Sequence, residues 1–195
     1  AGMIEVAQKE FGALDILVNN AGIQHVAAIE DFPEARYDAI IAINMSSAFH
    51  TIRAALPGMK KRSFGRIINV ASLAGYTPGS NGHTLYASVK SGMIKFSESV
   101  NAEAKAAGHD NVHCTALCPG FTWSEFHDVN GTRERTNEMP DWMWMEAAPV
   151  VEAGIHACEM GRPVVVPGAV NKGLATLSRI LPEPIGRAMV DAQSK

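Results

Sequence analysis

Three apolar runs of strand length, LDILVN (14–19), GRIINVAS (65–72) and NVHCTALCPG (111–120), are separated by stretches long enough to hold a full helix each. Strands joined through a helix lie parallel, because antiparallel neighbours need only a short turn. The runs are apolar almost throughout rather than alternating, which marks strands covered on both faces. The spacing predicts a long helix over 33–62, with Pro33 in its first turn and a basic end at Lys60, Lys61 and Arg62. A second long helix is expected over 84–107, before Gly108, and a third over about 146–160. Residues 1–11 read as the tail of a helix, 121–145 as irregular, and PVVVPG (163–168) as a short fourth strand before one or two terminal helices. The expected fold class is α/β, a doubly wound parallel sheet, with 1–195 as a single domain.

Composition narrows the function classes. The 195 residues are 47% apolar and 19% charged, the balance of a globular chain. A net charge of −3 supplies no basic field for nucleic acid or an anionic membrane. No apolar run is expected to reach the length of a membrane span, and the first residues lack a signal-peptide layout. Cys114 and Cys118 sit in one strand-like run, roughly 13 Å apart, too far for a disulfide. Free, buried thiols in a reducing cytoplasm are therefore expected.

In open α/β sheets, ligands sit beyond the carboxyl ends of the strands. The first run ends in NNAG (19–22), the second at Ser72 and the third in PGFT (119–122). TLYASVKSG (84–92) follows the second, with Tyr86 one helical turn before Lys90. Residues at i and i+4 share a helix face, roughly 6 Å apart at Cβ. A cation beside a phenol favours the phenolate, as an acid/base tyrosine near neutral pH requires. The histidines show no metal-ligand spacing, so no metal site is expected.

NNAG, then Asn44 in a long helix, Ser72 closing NVAS, Tyr86-x-x-x-Lys90 and Pro119-Gly120, in that order, resemble the short-chain dehydrogenase/reductase family over nearly the whole chain. The stretch NNAGIQHVAAIEDFPEARYDAIIAINMSSAFHTIRAALPGM is similar to bacterial 3-hydroxybutyrate dehydrogenases. SLAGYTPGSNGHTLYASVK and ALCPGFTWSEFHDVNGTRE resemble a less characterised bacterial branch. The resemblance implies a Rossmann-like sheet that lacks the family's first βαβ units, because the Gly-rich TGxxxGxG turn does not occur in this text. The chain is expected to begin near the end of the family's fourth helix.

That resemblance also implies NAD- or NADP-dependent hydride transfer with a small secondary alcohol or carbonyl substrate. Tyr86 would be the general acid/base. Lys90, with an oxidised nicotinamide, would lower the tyrosine's pKa and bind the ribose hydroxyls. Ser72 would hold the substrate oxygen, and Asn44 would hold a water leading to the lysine. Asn19, Ala21 and Gly22 would face the adenosine and ribose side, while Pro119, Gly120 and Thr122 cradle the nicotinamide, with Ser124 at the family's usual threonine position. Gln24 and His83 are candidate substrate contacts. The segment 126–145 occupies the place of the family's substrate lid, with Trp142, Met143, Trp144 and Met145 as candidate caps. A homodimer or homotetramer is expected, with outward positions such as Met93 and Phe96 on the long helices as interface. The competing reading is a truncated, inactive homologue serving as a binding or structural module.

Overall fold

The computed structural model describes residues 2–79 and 84–180. His83, one of the candidate substrate contacts, lies outside the described residues. Helix α1 spans Gly2–Phe11 and strand β1 Ile16–Asn19. Helix α2 (Glu34–Ile41) runs through a π turn (Ala42–Ser46) directly into α3 (Ser47–Arg62). Then come β2 (Gly65–Val70), α4 (Thr84–Ala106) and β3 (Val112–Leu117). The predicted irregular stretch holds two single-turn helices, α5 (Phe126–Val129) and α6 (Arg133–Thr136). Helix α7 (Ala147–Glu159), the two-residue β4 (Val164–Val165) and α8 (Ala169–Ile180) complete the described chain.

The four strands form one parallel sheet in the order β1-β2-β3-β4. Helices α1, α3 and α4 close one face, burying Leu17, Ile67 and Cys114 against Ile52, Met59 and Val100. Helix α7 covers the other, where Ile68 and Leu117 meet Val150 and Cys158. The doubly wound α/β architecture follows, and the short apolar strands are its covered centre. The cover is uneven. Leu17 is 5% exposed under α1 and α3, whereas Ile16 and Val18, on the opposite face of β1, are 60% and 53% exposed. Helix α7 reaches β2 and β3, and among the described elements none packs closely on the second face of β1 at the sheet edge.

Two expectations are corrected. Met93 is 3% exposed and sits in the core with Ile94, Ala116 and Cys118, and Phe96 packs against the same cluster. The sheet-facing side of α4 takes both residues, because Ala71 and Ala116 are small enough to let the helix sit close. On the long helical run Glu34–Arg62 the exposed large apolar side chains are instead Tyr37 and Phe49. Second, the continuous helical run Glu34–Arg62 is, by length and composition alone, long and apolar enough to cross a membrane. Its Ile40, Ala48, Ile52, Ala55 and Met59 are buried within the fold, and 28% of its most apolar window is buried. All three cysteines are free and buried.

Candidate active site

The carboxyl ends of the first three strands and the loops after them enclose a cleft of about 1020 Å3. Ser72 leaves β2 in extended conformation and caps a short 3-10 turn, Leu73–Gly75, its hydroxyl accepting from the Ala74 N–H at 3.1 Å. Gly75 lets that turn press against α4: a Cβ there would lie 2.7 Å from Ile94 Cδ1 and 2.9 Å from the Lys90 carbonyl carbon. This close approach seats Ser72 beside the first turns of α4, where Tyr86 stands. The Ser72 hydroxyl lies near enough to the phenol to favour its phenolate by hydrogen bonding. Lys90, one turn further on, is 4% exposed. Its Nζ donates to the Val70 carbonyl at 2.6 Å and lies 5.6 Å from the centre of the Tyr86 ring.

Asn44 sits in the π turn and is 3% exposed. Such turns aim one side chain out of helical register and recur at functional sites. Its Oδ1 accepts from the Ile23 N–H and its Nδ2 donates to the Ile23 carbonyl, both at 2.8 Å. The Asn44 amide therefore fastens the loop after β1 to the long helix. A Cβ on Gly22 would lie 3.6 Å from both Asn44 Oδ1 and Lys90 Nζ, so the loop, the amide and the ammonium meet at one point.

Electrostatics depart from the sequence expectation. Burial pushes the Tyr86 phenol up to about 12, with the Ser72 hydroxyl pulling the other way. The neighbouring lysine does not offset the loss of hydration in the chain alone, because its own ammonium is equally starved of water. Burial lowers Lys90 to about 8. The pair is thus a protonated phenol beside a cation that releases its proton more readily than usual.

Ala21, Gly22, Pro119, Gly120 and Thr122 line the cleft. Lys90 lines the same cleft beside the small residues Ala21 and Gly22. Two positions are held for packing reasons. A Cβ on Gly120 would collide with the Asn171 amide, and the Thr122 hydroxyl donates to the Gly120 carbonyl at 3.1 Å. Asn19 turns away from the cleft. Its Nδ2 donates to Asn69 Oδ1 and its Oδ1 accepts from the Thr51 hydroxyl, both at 2.8 Å. Asn69 passes the chain on to the Ser97 hydroxyl at 2.9 Å. This relay, buried at Asn69 and Ser97, ties β1, β2, α3 and α4 together, and Asn20 lines the cleft while Asn19 does not.

The segment after β3 crosses the cleft mouth. Asn130 Oδ1 accepts from the Gln24 backbone N–H at 2.6 Å, and its Nδ2 donates to the Phe126 carbonyl at 2.7 Å. Phe126 lies 6.2 Å from the Tyr86 ring. Of the four candidate caps, Met143 lines the cleft, Trp142 is 66% exposed, Trp144 stacks on Trp123 at 4.0 Å, and Met145 packs against the α7 face of the sheet. No group of three or more potential metal ligands occurs among the described residues.

The family model for short chain dehydrogenases matches residues 1–135. The chain belongs to the short-chain dehydrogenase family. It is 54% identical over 119 residues to the D-beta-hydroxybutyrate dehydrogenase of Cupriavidus necator, covering 61% of this chain and 45% of that protein. The enzyme of the same name from Rhizobium meliloti is 46% identical over 121 residues, 62% of this chain and 45% of its own length. The chain thus spans somewhat under half of these relatives. A crystal structure of a gluconate 5-dehydrogenase from Burkholderia cenocepacia, in complex with NADP and tartrate, superposes with a TM-score of 0.72 at 20% identity, covering 88% of this chain and 70% of that one. It shares the short-chain dehydrogenase fold.

Three asparagines escaped the sequence reading, Asn69, Asn130 and Asn171, and Asn20 entered it only as part of NNAG. Asn69 carried a signal, a polar residue inside the apolar run GRIINVAS. Asn171, 4% exposed and donating to the Pro167 carbonyl at 3.0 Å, carried none.

Proposed function

We propose that the chain carries the reaction centre of an NAD- or NADP-dependent oxidoreductase that interconverts a secondary alcohol and its carbonyl compound. The observation that carries this reading is the convergence of Ser72, Tyr86 and Lys90 on one wall of the cleft. The nicotinamide, when bound, supplies or accepts the hydride. Tyr86 delivers its phenolic proton to the carbonyl oxygen during reduction and recovers it during oxidation. The Ser72 hydroxyl holds that same oxygen and steadies the charge that grows on it. Lys90 orients the ribose hydroxyls and places a positive charge next to the phenol. Asn44 supports the arrangement by fixing the loop that carries Ala21 and Gly22. Gln24, which lines the cleft, is assigned to the substrate side.

In the same reading residues 1–195 act as one domain. The protein works as a homodimer or homotetramer, supported by the exposed Tyr37 and Phe49. It resides in the cytoplasm, supported by three unpaired thiols. Replacing Tyr86→Phe removes the transferable proton and little else. Turnover should fall by about 10²–10⁴-fold, the usual share of a general acid, with the unfolding midpoint kept. Wild-type turnover in that variant would overturn the assignment. Calorimetry with NAD(H) and NADP(H) tests whether this chain binds a dinucleotide.

A further inference from the structure

Helix α8 lends the cleft two polar side chains, Asn171 and Ser178. The Ser178 hydroxyl donates back to the Ala175 carbonyl of its own helix at 3.0 Å. Asn171, in the first turn, is 4% exposed. Its Nδ2 donates to the Pro167 carbonyl at 3.0 Å and lies 3.5 Å from the Met145 sulfur. A carbonyl can only accept, so this bond fixes which end of the amide is nitrogen. The oxygen is the end left over, and it sits against Gly120. A Cβ built on Gly120 would come nearest to Asn171 Oδ1, with the amide carbon and nitrogen both at 2.7 Å. Glycine at 120 is therefore what lets the amide lie directly on the turn that closes β3.

No donor meets Asn171 Oδ1 among the described residues. The one fully enclosed side-chain nitrogen or oxygen without a partner among them is Arg133 Nη1, so Asn171 Oδ1 keeps contact with the open space of the cleft. Its neighbours on this wall are engaged elsewhere. The Thr122 hydroxyl donates to the Gly120 carbonyl at 3.1 Å, and Lys90 donates to the Val70 carbonyl at 2.6 Å. Asn130, the amide of the crossing segment, is bonded at both ends, its oxygen to the Gln24 N–H and its nitrogen to the Phe126 carbonyl. Asn171 is held at its nitrogen, and a nearly buried amide oxygen of this kind is completed by an N–H or O–H on the bound molecule.

Resting on the oxidoreductase reading above, with Pro119, Gly120 and Thr122 as the nicotinamide cradle, we infer that Asn171 is a further cofactor contact: its Oδ1 accepts a hydrogen bond from the carboxamide NH2 of the nicotinamide. That ring carries no other donor. An acceptor held by Pro167 selects the nitrogen edge of the carboxamide over its oxygen edge, and so sets the rotation of the group.

Replacing the carboxamide by an acetyl group exchanges this NH2 for a methyl and leaves the rest of the dinucleotide unchanged. Whichever of NAD and NADP binds more tightly is compared by calorimetry with its 3-acetylpyridine analogue on the 195-residue chain. The natural dinucleotide should bind about 2–10-fold more tightly, the worth of one neutral hydrogen bond. Asn171→Ala should bring the two affinities together, whereas Asn171→Asp, which keeps an acceptor oxygen, should preserve the preference. Equal binding of both by the wild type would overturn the inference, whether or not the variants fold. So would an alanine variant that weakens both by the same factor, the mark of a purely structural amide, or an aspartate variant that loses the preference. The two readings fail separately. A wild type that binds neither dinucleotide removes the oxidoreductase reading for this chain, and this contact with it; binding without discrimination removes the Asn171 contact alone.

Discussion

At the scale of single residues, the site is set by where water is excluded. The Tyr86 phenol, raised to about 12 by burial, stays protonated at neutral pH in the chain alone. Spectrophotometric titration of the wild type against Tyr86→Phe should show the missing phenolate signal above pH 10. A loss below pH 10 would contradict the described environment. Asn44 makes a second residue-scale case. Asn44→Ala would strand both the N–H and the carbonyl of Ile23, a cost of about 1–3 kcal/mol for each buried group left unmade. Urea unfolding should show the drop; an unchanged midpoint would mean that water or a rearranged loop replaces the amide. Tyr86 and Lys90 were legible as neighbours on one helix face and Ser72 as a strand tip, whereas Asn44 was singled out through the resemblance to the short-chain dehydrogenase/reductase family. The direction of the tyrosine shift was not legible, since desolvation depends on what packs around the phenol. Nor was the inward turn of Asn19, because two adjacent asparagines at a strand end read alike until the pleat decides which one faces the core.

At the scale of elements, the strands and long helices followed their patterns closely. The predicted 65–72 strand is β2 at Gly65–Val70, and the predicted 84–107 helix is α4 at Thr84–Ala106. The π turn within 33–62 had only the mid-helix Asn44 to mark it. The stretch 121–145 was unreadable beyond irregularity. Its two helices are single turns held by contacts remote in sequence, such as Asn130 to Gln24 across 106 positions. That contact latches the crossing segment to the loop after β1. Asn130→Ala should remove one hydrogen bond, about 0.5–1.5 kcal/mol, and loosen the segment more than the protein. Hydrogen exchange over 121–145 should quicken while the sheet keeps its protection, and KM should rise with kcat little changed. Equal exchange in wild type and variant would show that the aromatic packing of Phe121 and Trp144, not the latch, holds the segment.

At the scale of the whole molecule, pH acts through buried neutral groups. Burial raises Tyr76, Tyr86, Cys114 and Cys118 to about 12. In the unfolded chain these groups release their protons near 9 to 10, before the folded ones do. The folded state then binds more protons, and stability falls as pH climbs past 9. Lys90 opposes this. Lowered to about 8 in the fold, it is charged at a cost below that pH, and the cost is relieved as it deprotonates. Denaturant midpoints should decline from pH 9 to pH 11, because four groups outweigh one; a flat or rising profile would refute the described burial. The exposed face of β1 acts at the same scale. Ile16 and Val18 lie on β1, the edge strand among the described residues, and invite a second surface. Sedimentation velocity on the 195-residue chain should therefore show concentration-dependent association, diminished in Ile16→Lys.

Trp123 and Trp144 stack at 4.0 Å, only 16° from coplanar, in the segment that crosses the cleft mouth. Two indole transition dipoles that close couple as an exciton, so their strong ultraviolet band splits into a signed pair in circular dichroism. The molecule thus carries an intrinsic optical gauge of that segment's conformation, readable without any label, and ligand occupancy that shifts either ring registers as a change in the couplet.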